Sequence, residues 1–252
     1  MGGHATTAKT ISLTTPDGAM PVHAVYPASG AWPAAIMFMD GMGIRPAMHA
    51  MAARLASHGY HVLLPDLYYR AGAYQPVDMR TVFASPDNPE RTRVRALMST
   101  VSNEGAARDI GALIAGLARA PGLRGDAIGC VGYCMGGRMA LLAAGTFPAR
   151  IAAASSIHGG GLATDKPDSP HLLAPHVRAE VYLGAAGIDP HVPQAELDRV
   201  TEALRAAGVT YTLEVHPGVQ HGFGVDESPV YDRDAAERCW SQTLALFARA
   251  LA

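Results

Sequence analysis

The run Gly132-Tyr133-Cys134-Met135-Gly136 sets a cysteine between two glycines, each two residues away. That spacing suits a nucleophile on a sharp strand-to-helix turn, where larger side chains at the flanking positions would collide. Gly137 adds room on the helical side. In such a turn the Met135 N–H faces the same point as the sulfur. It also stands at a helix N-terminus, where positive partial charge suits a thiolate and an oxyanion. Cys134 is therefore the candidate nucleophile for attack on a carbonyl. The two other cysteines read as packing residues, Cys130 inside the preceding strand and Cys239 beside Trp240 on the last helix.

A thiol nucleophile needs a base, and the base needs a carboxylate to orient it. In a parallel sheet carrying such an elbow, the chain order is nucleophile, acid, histidine. Of the eleven histidines, His221 has the right place, after the last strand in Pro217-Gly218-Val219-Gln220-His221-Gly222-Phe223. His216, at the expected strand end, is a weaker rival. Asp189 follows the strand beginning at Glu180 through Gly184-Ala185-Ala186-Gly187-Ile188, which puts a carboxylate at the same edge. An Asx-turn ahead of Pro190 is a second use for the same side chain. His191 reads as a cap or a solvated residue. His158, His171 and His176 show no recognised zinc spacing, so neither a metal nor another cofactor is expected. The second oxyanion donor belongs in the loop Asp40-Gly41-Met42-Gly43, with the Gly41 N–H as the best candidate.

These residues need a scaffold of alternating strands and helices. Ile11 to Thr15 and Met20 to Tyr26 read as a hairpin around Pro16-Asp17-Gly18. Ala34 to Met39, Tyr60 to Leu64, Ala127 to Tyr133, Ile151 to Ile157, Glu180 to Leu183 and Thr210 to Val215 read as buried strands. Helices are expected over Pro46 to His58, Asn103 (as cap) to Ala118, Met135 to Gly145, Pro193 to Ala207 and Asp234 to Leu251. The pattern predicts a mostly parallel sheet of about eight strands with helices on both faces. The stretch 69–102 is irregular, with a short helix expected at Arg91 to Met98. A connection of that length suits a lid or a substrate wall.

The bulk numbers narrow the function classes. The chain has 252 residues, read as one domain, with 49% apolar and 17% charged residues. A net charge of −2 and the lack of a Lys/Arg-rich run weigh against a nucleic-acid partner. No apolar stretch reaches the roughly 18 residues of a membrane span. Met1 to Thr10 lacks the apolar core of a secretory signal. Met1-Gly2 with Thr6 fits a loose myristoylation pattern but reads as a frayed end. Three cysteines do not make a disulfide framework and fit a reducing cytoplasm. A monomer or small homo-oligomer is expected.

The sequence resembles the dienelactone hydrolase family nearly end to end. The resemblance is carried by His58-Gly59-Tyr60 through Leu64-Pro65-Asp66-Leu67-Tyr68, by Val131-Gly132-Tyr133-Cys134-Met135-Gly136-Gly137, by Gly187-x-Asp189 with Val192-Pro193, and by Gln220-His221-Gly222-Phe223. It implies an α/β-hydrolase fold, opening of enol lactones or activated esters, and a triad of Cys134, His221 and Asp189. Two positions depart from the family. Where the family has a Glu that contacts the resting thiol, this chain has Asp40, which either holds or deprotonates the thiol or only shapes its turn. The Arg that the best-known members carry after the catalytic His, to hold a substrate carboxylate, is missing beyond Phe223. Arg70, Arg91, Arg93 and Arg95 are the substitutes in the insertion, and Phe223 is a further candidate substrate contact. Two rival functions remain: an acyltransferase using the same three residues, and a non-catalytic binding protein of the fold.

Overall fold

The Pro16-Asp17-Gly18 turn joins two ten-residue strands, β1 (Thr6–Thr15) and β2 (Gly18–Pro27), paired antiparallel along their whole length. The computed structural model describes residues 3–83, 85, 87–118, 120 and 122–252. Met1-Gly2, which opens the myristoylation-like pattern, lies outside them. The apolar runs become β3 (Trp32–Phe38), β4 (His61–Pro65), β5 (Leu123–Tyr133) and β6 (Ile151–Ile157). β7 (Glu180–Ile188) and β8 (Tyr211–Gln220) complete an eight-stranded sheet in the order β1-β2-β4-β3-β5-β6-β7-β8. The β2–β4 pairing is antiparallel, and every pairing from β4 to β8 is parallel.

The helices are α1 (Pro46–Ser57), α2 (Met79–Phe83), α3 (Pro89–Ser99), α4 (Asn103–Leu117), α5 (Met135–Thr146), α6 (Gln194–Ala206) and α7 (Arg233–Ala250). α1 and α7 share one layer, tied by the Arg54–Glu237 ion pair and by Arg54 over the Trp240 ring. α4 and α5 pack together in the other layer. No described helix is long and apolar enough to cross a membrane.

Several boundaries differ from the sequence expectation. β1 starts at Thr6 rather than Ile11, because β2 offers it partners as far as Pro27. β7 and β8 run on to Ile188 and Gln220, pairing with each other across a bulge between Ala186 and Ile188. The α4 cap is Ser102, whose Oγ accepts from the Gly105 N–H at 3.0 Å; Asn103 is already helical and donates instead to the Asp168 carbonyl at 2.8 Å.

The stretch 69–102 carries more order than expected: a 3-10 turn at Tyr69–Ala71, then α2 and α3. It buries Val77, Met79, Val82, Val94, Leu97 and Val101. That apolar contribution docks it on the body of the fold.

Candidate active site

Each of the three residues singled out for chemistry is the first residue beyond a strand. Cys134 follows β5, Asp189 follows β7 and His221 follows β8. Parallel strands end at the same sheet edge, so the three side chains meet there. His221 Nε2 lies 3.1 Å from Cys134 Sγ, and His221 Nδ1 lies 2.7 Å from Asp189 Oδ2. The other Asp189 oxygen accepts from the His191 and Val192 N–H groups at 2.9 and 3.2 Å. One carboxylate therefore closes its own turn and faces the imidazole.

Cys134 has φ 53° and ψ −116°, a conformation L residues rarely adopt. The elbow holds it because its neighbours are glycines. A Cβ on Gly132 would collide with the Gly136 carbonyl, and one on Gly136 with the Phe38 carbonyl. One on Gly137 would sit 2.5 Å from Ser156 Oγ. The Cys134 N–H donates to the Ile157 carbonyl at 3.0 Å, and the Gly137 N–H to the Cys134 carbonyl at 3.0 Å.

Burial works against a charged His221 ring, but hydrogen bonds to Asp189 and Cys134 outweigh it and raise its pKa to about 10. The ring is also held edge-on by two other imidazoles, His158 at 5.0 Å and His191 at 5.1 Å between centroids. His158 is fully enclosed, and burial first, then the neighbouring His221, push its pKa well down. It is a neutral wall to the His221 ring.

The loop at residues 40–43 is fixed from several sides. Tyr68 Oη donates to the Gly41 carbonyl at 2.8 Å, and the Met42 N–H donates to Asp40 Oδ1 at 2.8 Å. The Gly43 N–H donates to the Asp40 carbonyl at 3.3 Å. The Ile44 N–H donates to Tyr74 Oη at 2.9 Å. The Gly41 and Met135 N–H groups donate to no acceptor among the described residues. Met98 of α3 lies over the loop, so that a Cβ on Gly41 would be 2.9 Å from its sulfur.

Several residues named from sequence are placed elsewhere. Asp40 does not face the thiol as a hydrogen-bond partner. Both its oxygens are taken by Arg45, at 2.6 and 2.7 Å, in a buried pair that Glu227 also joins through Arg45 Nε. Phe223 is fully enclosed against His158 and His216, so it supports the His221 loop from behind and offers no face to a substrate. Arg70 is bound to Asp17 and Asp109 and stacks on Tyr69, tying the insertion to the β1–β2 turn and α4. Arg93 holds Glu90 and the Gln75 carbonyl. Arg91 donates to the Val82 carbonyl at 3.1 Å and is within electrostatic reach of His191, while Arg95 is exposed on the same helix. His216 lies inside β8 and meets Cys239 Sγ at 3.4 Å, not Cys134.

Sequence reasoning missed Arg45, Tyr68, Tyr74 and Arg138. Two carried a signal: Arg45 directly precedes the helix-opening Pro46, and Arg138 is the one charged residue of α5.

With this geometry in place, likeness to known proteins becomes informative. An inferred carboxymethylenebutenolidase of Methylorubrum extorquens is 30% identical over 92% of this chain and 77% of its own. One of Salmonella typhi is 28% identical over 94% and 90%. A crystal structure of an inferred dienelactone hydrolase from Klebsiella pneumoniae superposes with a TM-score of 0.84 at 26% identity, covering 98% of this chain and 100% of that one. The family profile described as "Dienelactone hydrolase family" matches residues 20–251. The eight-stranded α/β-hydrolase sheet and this match over nearly the whole chain make the protein a member of the dienelactone hydrolase family.

Proposed function

We propose that this hydrolase cleaves activated carboxylic esters or enol lactones through a thioester on Cys134. The observation that carries the reading is the continuous contact from Asp189 through His221 to Cys134 Sγ. His221 Nε2 takes the thiol proton, and the thiolate attacks the carbonyl carbon. The Met135 and Gly41 N–H groups receive the oxyanion. Collapse breaks the C–O bond, and the departing enolate or alkoxide takes the proton from His221 Nε2. Water, deprotonated by the same nitrogen, then attacks the thioester; the C–S bond breaks, the acid leaves and the Cys134 sulfur recovers a proton from His221 Nε2, while Asp189 holds the ring's orientation. The carboxymethylenebutenolidase names of the relatives favour a lactone with an enol leaving group.

The test is a panel of aryl esters and enol lactones assayed with the native protein and with Cys134→Ala. Turnover is expected in the first and loss of at least about a thousandfold in the second. Equal activity in the two refutes the thioester route. Iodoacetamide at neutral pH gives an independent reading by mass spectrometry. Only Cys134 is partly exposed; burial pushes the Cys130 thiol up, and pushes that of Cys239 up to about 12. Alkylation is therefore expected at Cys134 alone.

A further inference from the structure

A second cavity lies away from the triad, on the face of the sheet that α4 packs against. On β1, Lys9, Ile11 and Leu13 alternate and so share one face. The register sets Lys9 opposite Ala24 of β2, and Ala24 opposite Leu63 of β4. The small Ala24 side chain in the middle of that row leaves a hollow of about 160 Å³, bounded by Leu117 at the end of α4. His61, the first residue of β4, completes the lining. It opens a parallel strand, whereas Cys134, Asp189 and His221 each follow one. The hollow and the triad therefore occupy opposite edges of the sheet.

Ile11, Leu13, Leu63 and Leu117 supply aliphatic walls, and no acid lines the cavity. The polar groups are two. His61 is only 4% exposed, yet its ring makes no hydrogen bond among the described residues and merely stacks on Tyr26 at 4.8 Å. Lys9 is held over the same Tyr26 ring, with Nζ 5.6 Å from the centroid, and has no carboxylate partner among the described residues. The ammonium is near enough to His61 that its charge, after burial, lowers the imidazole pKa. A buried polar side chain without a partner is uncommon in folded proteins. Here one stands beside an unpaired cation at one end of an apolar hollow.

We propose that this cavity binds a small monocarboxylate with an apolar body, its carboxylate received by Lys9 and His61 and its body by the aliphatic walls. Charge decides the head, because a carboxylate can accept from the imidazole N–H and the ammonium together. Volume decides the body, because an apolar cavity of about 150 Å³ admits benzene. The site is independent of the chemistry at Cys134, and binding to it needs no turnover.

Hexanoate and hexanamide, equal in length, test it by calorimetric titration. The native protein is expected to take up hexanoate saturably and to bind hexanamide about tenfold or more weakly. Lys9→Gln, at an exposed position, should remove that difference. Ala24→Leu should fill the hollow and abolish binding, while both variants keep native turnover of an aryl ester. The other place for a carboxylate is the triad, where it would be a reaction product. Hexanoate held there would compete with the ester and would bind both variants as it binds the native protein. That result overturns the proposal, as do absence of saturable uptake, equal affinity for acid and amide, or a Lys9→Gln variant that keeps the preference. Should Ala24→Leu fail to fold, Lys9→Gln decides alone.

Discussion

At the scale of the residue, Cys134 joins a strained backbone to a sulfur that, on the proposed thioester route, must leave as readily as it attacks. A thiolate is a good leaving group, so the tetrahedral intermediate goes forward only when the ester oxygen departs at least as easily. This predicts that aryl and enol esters outpace simple alkyl esters by about a hundredfold, with amides slower still, measured as kcat/KM across a series sharing one acyl group. A flat series would mean that collapse of the intermediate is not the discriminating step. The elbow itself has a separate test. In Gly136→Ala the new methyl would meet the Phe38 carbonyl, which is backbone and cannot swing aside. Substitution there should separate β3 from α5, with loss of esterase activity and a fall of about 3 kcal/mol in urea-denaturation stability. Unchanged stability would show that the elbow relaxes without cost.

At the scale of the elements, loops from opposite ends of the chain are joined by one cation. Arg45, only 3% exposed, links Asp40 of the β3–α1 loop to Glu227 beyond His221. Removing one partner of a buried pair leaves the other charge uncompensated. Arg45→Met should cost about 3–5 kcal/mol in chemical denaturation, and Asp40→Asn combined with Arg45→Met should cost less than Arg45→Met alone. A double variant worse than the single one would show that the pair is not the source of the cost. This clamp was illegible in the sequence because Glu227 lies 182 residues from Arg45, and nothing local marks such a pairing. The same reason hid the partners of Arg70, which are Asp17 and Asp109. By contrast β3 was legible as an unbroken apolar run, β4 and β6 as short, mostly apolar ones, and the glycine spacing marked the elbow before α5. The far halves of β7 and β8 were not, since Gly187, Pro217 and Gly218 argue against strands and only their mutual pairing and a bulge accommodate them. Chain order and strand ends sufficed to place Cys134, Asp189 and His221 at one edge, whereas the partners of the arginines depended on packing between distant segments.

At the scale of the whole molecule, the imidazoles make stability depend on pH in two opposed ways. His61 is buried in the sheet, and burial first, with Lys9 second, lowers its pKa from 6.5 to about 4. Between those values the unfolded chain binds the proton and the folded chain does not, so stability falls as pH drops from 6.5 toward 4. Enclosed His158 adds to the same acid limb, its pKa lowered by burial. His221 works in reverse, its pKa raised from 6.5 to about 10 by the hydrogen bonds to Asp189 and Cys134 that overcome burial. The folded chain then holds the proton that the unfolded chain releases. Its contribution is complete below 6.5 and is lost as pH rises through about 10. The two limbs meet near pH 6.5, where the thermal midpoint should be highest. Calorimetric scans from acid to alkaline pH check this with two variants. His61→Leu should flatten the acid limb and spare the other, while His221→Gln should flatten the alkaline limb. Cys134→Ala, which removes the sulfur facing His221, should flatten the alkaline limb in part, because Asp189 still holds the ring. An alkaline limb unaltered by either His221→Gln or Cys134→Ala would mean that His221 and Cys134 together bind no extra proton in the folded state.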